Sequence, residues 1–177
     1  MTINKYSPSM RLLHWAMAIV IIGLMAVGIY MSDLDDSPGK FDIYNWHKSF
    51  GVIALLLIAA RIVVRTKSAV PALPKVLSKV EQVAAHWGHR ALYLLMVLMP
   101  VSGYVMSAAH PKRYGVSFFG QKLPDLPPSE FWAGLAHQIH GIASYALLAV
   151  IVLHILGALK HRFFDNAEAD VMVRMLP

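Results

Sequence analysis

Cysteine is absent from this chain of 177 residues. That excludes disulfides, cysteine-ligated iron–sulfur clusters and covalent haem attachment through a CxxCH motif. Charge is also scarce. Only 15% of residues are Asp, Glu, Lys or Arg, against 57% hydrophobic, and the mean hydropathy is +0.53. A soluble domain of this size is seldom so apolar. There is no Walker motif, no other nucleotide-binding pattern and no convincing catalytic dyad. Chemistry must then come from a bound group. The net charge of +6 is largely a matter of membrane topology, so no nucleic acid partner is expected.

What the chain does have is four long apolar runs, each near the ~20 residues needed to cross a bilayer. They are expected at about Leu12–Met31, Ile43–Val64, Arg90–Ala109 and Trp132–Leu159. The first ends in MSDLDD, not in a small-residue cleavage site, and is expected to remain as a span. An even number of spans puts both termini on one side. That side carries eleven of the sixteen Lys and Arg residues; the other carries Lys40, Lys48, Lys112, Arg113 and Lys122. The positive-inside rule then predicts cytoplasmic termini, and in a bacterium the opposite face is periplasmic. Residues 1–177 are expected to form one all-α, four-helix transmembrane domain.

Two histidines of the last run, His140 and His154, are fourteen residues apart. On a helix that spacing leaves them within about 40° of one face and about 21 Å apart along the axis. Each is then placed to ligate a metal centre near a different side of the membrane. His14 starts the first run from the cytoplasmic side and His47 starts the second from the periplasmic side. Matching depths predicts the pairs His14/His154 and His47/His140. Intramembrane ionisable residues are rare and usually functional. Neutral imidazole suits haem iron, and two axial nitrogens leave no open position. The expectation is two non-covalent b-type haems in a bundle that moves electrons and does not bind oxygen.

The other histidines compete less well. His89, before the third span, is the rival of His14 for the cytoplasmic iron, or a partner for a haem propionate or a quinone. His86 lies at the same level. His137 is three residues from His140 but about 100° from His154 in angle. His110 and His161 fall at span ends, as interfacial residues do. Among small residues, Gly28 is fourteen residues after His14, Gly51 is one turn after His47, and Gly103 lies in the third span. All three can bring a macrocycle close to a backbone, or simply pack helices together. Pro100 removes a hydrogen bond within the third span. Lys75–His86 is expected as an amphipathic interfacial helix, and Asp165–Met175 as a short surface helix.

RLLHW at Arg11–Trp15, WHK at Trp46–Lys48, HRALYLLMVLMPVSGY at His89–Tyr104, and His137, His140 and His154 of the fourth span together resemble the bacterial di-haem cytochrome b561 family. The resemblance covers nearly the whole chain and is nearest to the stand-alone members of enteric bacteria. It implies a four-helix inner-membrane protein with two haem b groups that exchanges electrons with ubiquinone. The family's ligands carry over onto His14, His47, His140 and His154. Stand-alone members are similar to a superoxide oxidase, which passes electrons from superoxide to ubiquinone without an obligate protein partner. Related di-haem subunits instead anchor a hydrogenase or dehydrogenase to the quinone pool. The loop before the fourth span favours the former reading. His110, Lys112, Arg113 and Lys122 make it basic, whereas SDLDDSPGKFD between the first two spans is acidic. A positive funnel attracts a small anion such as superoxide.

Overall fold

In the computed structural model, which describes residues 5–112 and 114–176, four helices carry nearly all of the fold. They are α1 (Pro8–Ser32), α2 (Pro38–Lys67), α3 (Lys79–Ala108) and α4 (Glu130–Phe163). All four are long and apolar enough to cross a membrane. Each begins on a serine whose hydroxyl accepts a backbone N–H of the first turn: Ser7, Ser37, Ser78 and Ser129. Pro8 and Pro38 then occupy first-turn positions where no N–H is required. These caps start the helices earlier than hydropathy alone suggests. The thirty residues of α2 extend about 45 Å, well beyond a hydrocarbon core of about 30 Å.

Helix α1 packs on α2, α2 on α3 and α3 on α4. Alanines at 54, 133, 136 and 143 are buried at these contacts, beside Met17, Ile58, Leu92 and Leu147. Small residues let the helix backbones approach closely, as membrane bundles require. Leu12, Ile19, Leu94, Ile142, Tyr145 and Leu153 stay exposed on the outside, where lipid is their natural solvent. Pro100 lies within an unbroken α3.

One end of the bundle holds both termini, and the other is closed by the loop after α3. That loop contains a small antiparallel hairpin, β1 (Ser117–Phe118) and β2 (Gln121–Lys122). Its two turn residues, Phe119 (φ 47°) and Gly120 (φ 88°), both have positive φ, as a type I′ turn demands. The Ser49 hydroxyl of α2 donates to the Ser117 carbonyl and accepts from the Phe119 amide, each at 3.1 Å. Lys48 donates to the Gly115 carbonyl at 3.0 Å. The amides of Leu126 and Ser129 bond the carbonyls of Ala108 and Ala109 and so satisfy the end of α3.

Within Lys75–His86 the chain is helical from Lys79 and runs directly into the third span. Ser78 and Glu81 form a reciprocal capping box, so from Lys79 onward the chain is already α3. Asp165–Met175 forms two 3₁₀ turns, Ala167–Ala169 and Met172–Arg174, and not one α-helix. Asp170 is the cause. Its carboxylate accepts from the amides of Met172 and Val173 at 2.9 and 3.4 Å and pairs with Arg162, and such local bonds compete with helix. The tail then lies across α1: Arg11 donates to the Leu176 carbonyl at 2.6 Å and Trp15 to the Met175 carbonyl at 2.9 Å.

This tail is expected to be acid-sensitive. Burial opposes the charge on Asp170, but Arg162 and the two amides outweigh it and hold the carboxyl below its ordinary range. The contribution is therefore full above the ordinary aspartate value of about 3.9 and is lost as pH falls through the lowered one. Limited proteolysis should leave the tail intact at neutral pH and cut it only as the pH falls below the ordinary aspartate range. D170N should be cut already at neutral pH.

Candidate haem-binding site

The helices bring the histidines together in two layers. At the terminal end the rings of His14 (α1) and His154 (α4) have centroids 6.2 Å apart. A metal about 2 Å from one nitrogen of each ring requires about this separation. His89 (α3) joins the same layer, its centroid 5.4 Å from that of His154. Toward the hairpin end, His47 (α2) lies beside Gly28 of α1, and His140 (α4) beside Gly103 of α3. All four expected ligands are half-buried and face the bundle interior. His137 is exposed.

Ring nitrogens are held in specific ways. His140 places Nδ1 2.9 Å from the Met99 carbonyl and 3.2 Å from the Ser102 hydroxyl. His89 places Nδ1 2.6 Å from the Ala85 carbonyl. A carbonyl can only accept, so both rings carry the proton on Nδ1 and present Nε2 with its lone pair. His14 differs: Arg61 Nη2 lies 3.3 Å from its Nδ1, and a guanidinium can only donate. Neutral His14 therefore carries its proton on Nε2 in this arrangement. Binding iron through Nε2 requires that proton to move to Nδ1 and the Arg61 contact to open. His47 Nδ1 is buried with no hydrogen-bond partner.

The glycines serve the imidazoles. A Cβ on Gly28 would lie 3.4 Å from His47 Cε1, and one on Gly103 would lie 3.1 Å from Cε1 and 3.3 Å from Nδ1 of His140. Both glycines make room for a histidine ring, whereas the space beside Gly51 is open. The same fourteen-residue step recurs on every helix: His14 to Gly28, His47 to Arg61, His89 to Gly103 and His140 to His154. One layer is thus His, Arg, His, His, and the other is Gly, His, Gly, His.

At the hairpin-end surface Lys112 is exposed, and its backbone amide donates to His110 Nδ1 at 3.1 Å. Lys122 pairs with Asp125 at 2.6 Å, which removes part of the basicity read from the loop. Arg113 lies outside the described residues.

The family model for prokaryotic cytochrome b561 matches residues 5–177. The chain belongs to that family. Cytochrome b561 homolog 2 of Escherichia coli (strain K12) is 30% identical over 99% of this chain and 93% of its own length. Probable superoxide oxidase CybB of Yersinia pestis is 26% identical over 98% of this chain and 97% of its own. As a member of the prokaryotic cytochrome b561 family, the protein is a multi-pass membrane electron-transfer protein, and the family implies that it binds haem b.

The residues fit that group. The interior donors are imidazoles, with neither thiolate nor carboxylate among them, which suits haem iron. An orphaned buried nitrogen on His47 and two glycine seats for imidazole rings belong to a site built around its histidines. One member of the site, Arg61, reads in the sequence as a topology-setting cation. Its signal there is a single cation inside the apolar stretch LLLIAARIVV, fourteen residues after His47. Met99 and Ser102 carried no signal in the sequence, because their role depends on how α3 faces α4.

Proposed function

We propose that this cytochrome is a superoxide:ubiquinone oxidoreductase of the bacterial inner membrane with both termini in the cytoplasm. It works through two haem b groups and without an obligate protein partner. The observation that carries the reading is the pair of histidine layers at opposite depths, a path for electrons between the two faces. The likeness to Probable superoxide oxidase CybB supports the choice of substrate. In balance, two superoxide anions and two protons convert one ubiquinone to ubiquinol and release two oxygen molecules.

His47 and His140 would hold one haem near the periplasmic loop, and His14 and His154 the other near the cytoplasmic face. Each haem, when bound, would supply one-electron chemistry. Lys112 and Arg113 raise the local concentration of the anion at the periplasmic face. Met99 and Ser102 fix the His140 ring, while Gly28 and Gly103 let the His47 and His140 rings lie against α1 and α3. His89 keeps Nε2 free beside His154; once protonated, that nitrogen can donate to a haem propionate or a quinone carbonyl.

Stopped-flow absorption of the purified, haem-loaded protein mixed with superoxide tests this. A reduced b-type spectrum should form rapidly and decay only when ubiquinone is added. A protein that dithionite reduces and superoxide hardly touches would be an anchor subunit for a dehydrogenase or hydrogenase instead. Neutralising Lys112 and Arg113 together should slow the superoxide step about tenfold at low ionic strength and flatten its salt dependence. An unchanged rate would remove the funnel from the mechanism.

A further inference from the structure

We propose that Arg61 gives electron flow its direction. Its buried charge makes the iron held by His14 and His154 easier to reduce than the iron held by His47 and His140. The inference rests on the two-haem reading above, but its evidence is separate.

Arg61 is only 9% exposed and lies in the last two turns of the membrane-spanning helix α2, six residues before its end at Lys67. Its Nε donates to the Tyr93 hydroxyl at 3.2 Å, Nη1 to the Met10 carbonyl at 3.4 Å, and Nη2 to His14 Nδ1 at 3.3 Å. All three partners are neutral acceptors. Among the described residues no carboxylate pairs with it. A second cation, Arg65, stacks its guanidinium at 5.5 Å over the ring of the same Tyr93. A guanidinium does not lose its proton in a protein, so the charge is permanent. The feature to explain is a permanent positive charge held against a candidate iron ligand.

Among the described residues, the opposite layer has no equivalent cation. The positions that match His14 and His89 there are Gly28 and Gly103, and the helix that carries Arg61 contributes His47. His140 is bonded to a carbonyl and a hydroxyl. Lys48 follows His47 but turns its ammonium to the Gly115 carbonyl of the loop.

Reduction of ferric to ferrous iron removes one positive charge from the site. A fixed cation close by, in a medium that screens it poorly, disfavours the ferric state and favours the ferrous one. One electron leaving the hairpin-end site, which is oxidised, then settles at the terminal-end site, which is reduced. Arg61 takes up no proton and forms no bond in the transfer. It is a positioning residue that acts through charge, and opening of its contact with His14 Nδ1 would leave that charge in place.

The test is a spectroelectrochemical titration of the haem-loaded wild type, R61Q and R61K. R61Q retains a hydrogen-bond donor without the charge, and R61K retains a charge without the three-way fork. R61Q should lower one of two midpoint potentials so that the partition of an electron between the sites shifts at least tenfold, or 59 mV. The other midpoint should stay, and R61K should recover most of the shift. In an H140A background, where the terminal-end haem alone remains, R61Q should move the single midpoint in the same direction. Unchanged midpoints in R61Q, equal movement of both, or an R61K that behaves like R61Q would overturn the proposal. Loss of one haem from both variants would also overturn it, assigning Arg61 to binding. A wild type that titrates as one haem would instead bring down the two-haem reading, and the proposal with it.

Discussion

On the two-haem reading, H140A is expected to purify with one haem per chain in place of two, and to lose superoxide-driven reduction altogether. Nothing nearby can take the place of the ring. His137, three residues earlier, is turned outward and exposed, so its imidazole cannot reach the interior without rotating α4. H47A is expected to do the same, since His47 and His140 act on one iron. In both variants His14 and His154, held at their own depth with centroids 6.2 Å apart, should still bind a haem that dithionite reduces. The haem-to-protein ratio from the alkaline pyridine spectrum is the measurement. Two haems retained in either variant would break the pairing of His47 with His140.

G103V is expected to have nearly as large an effect without touching a ligand. The added Cβ falls 3.1 Å from Cε1 of His140, and the ring cannot simply slide aside. Its Nδ1 is held by Met99 and Ser102 of the same helix as Gly103. The variant must therefore break those bonds or push α4 away from α3. Overpacking of this kind costs about 1–3 kcal/mol, and here the cost falls on the orientation of a ligand. The hairpin-end haem should be lost, or retained with an altered low-spin electron paramagnetic resonance spectrum. G23V is the control, because nothing lies within 4 Å of a Cβ at that position. An unaltered haem content and spectrum in G103V would show that the close approach has no bearing on haem binding.

Much of this architecture is written in residue order. Four runs of about twenty apolar residues leave few options besides spanning helices, because unpaired backbone groups are too costly in lipid. A fourteen-residue interval on a helix places two side chains on one face at two depths whatever the neighbouring helices do. Helix ends were less legible. Hydropathy marks where a chain enters lipid, whereas α3 starts at Ser78 and Glu81, eleven or so residues earlier, through hydrogen bonds that hydropathy does not register.

Everything that depends on how one helix faces another was decided by the tertiary structure. Arg61 reads as one more cytoplasmic cation until α2 packs against α1 and α3 and aims its guanidinium at Met10, His14 and Tyr93. Gly103 reads as one small residue among several until His140 of α4 is laid against it. Depth and periodicity are properties of a single helix and can be computed from spacing alone. Rotation about the axis and the pairing of charges arise between segments, so they exist only once the bundle has packed.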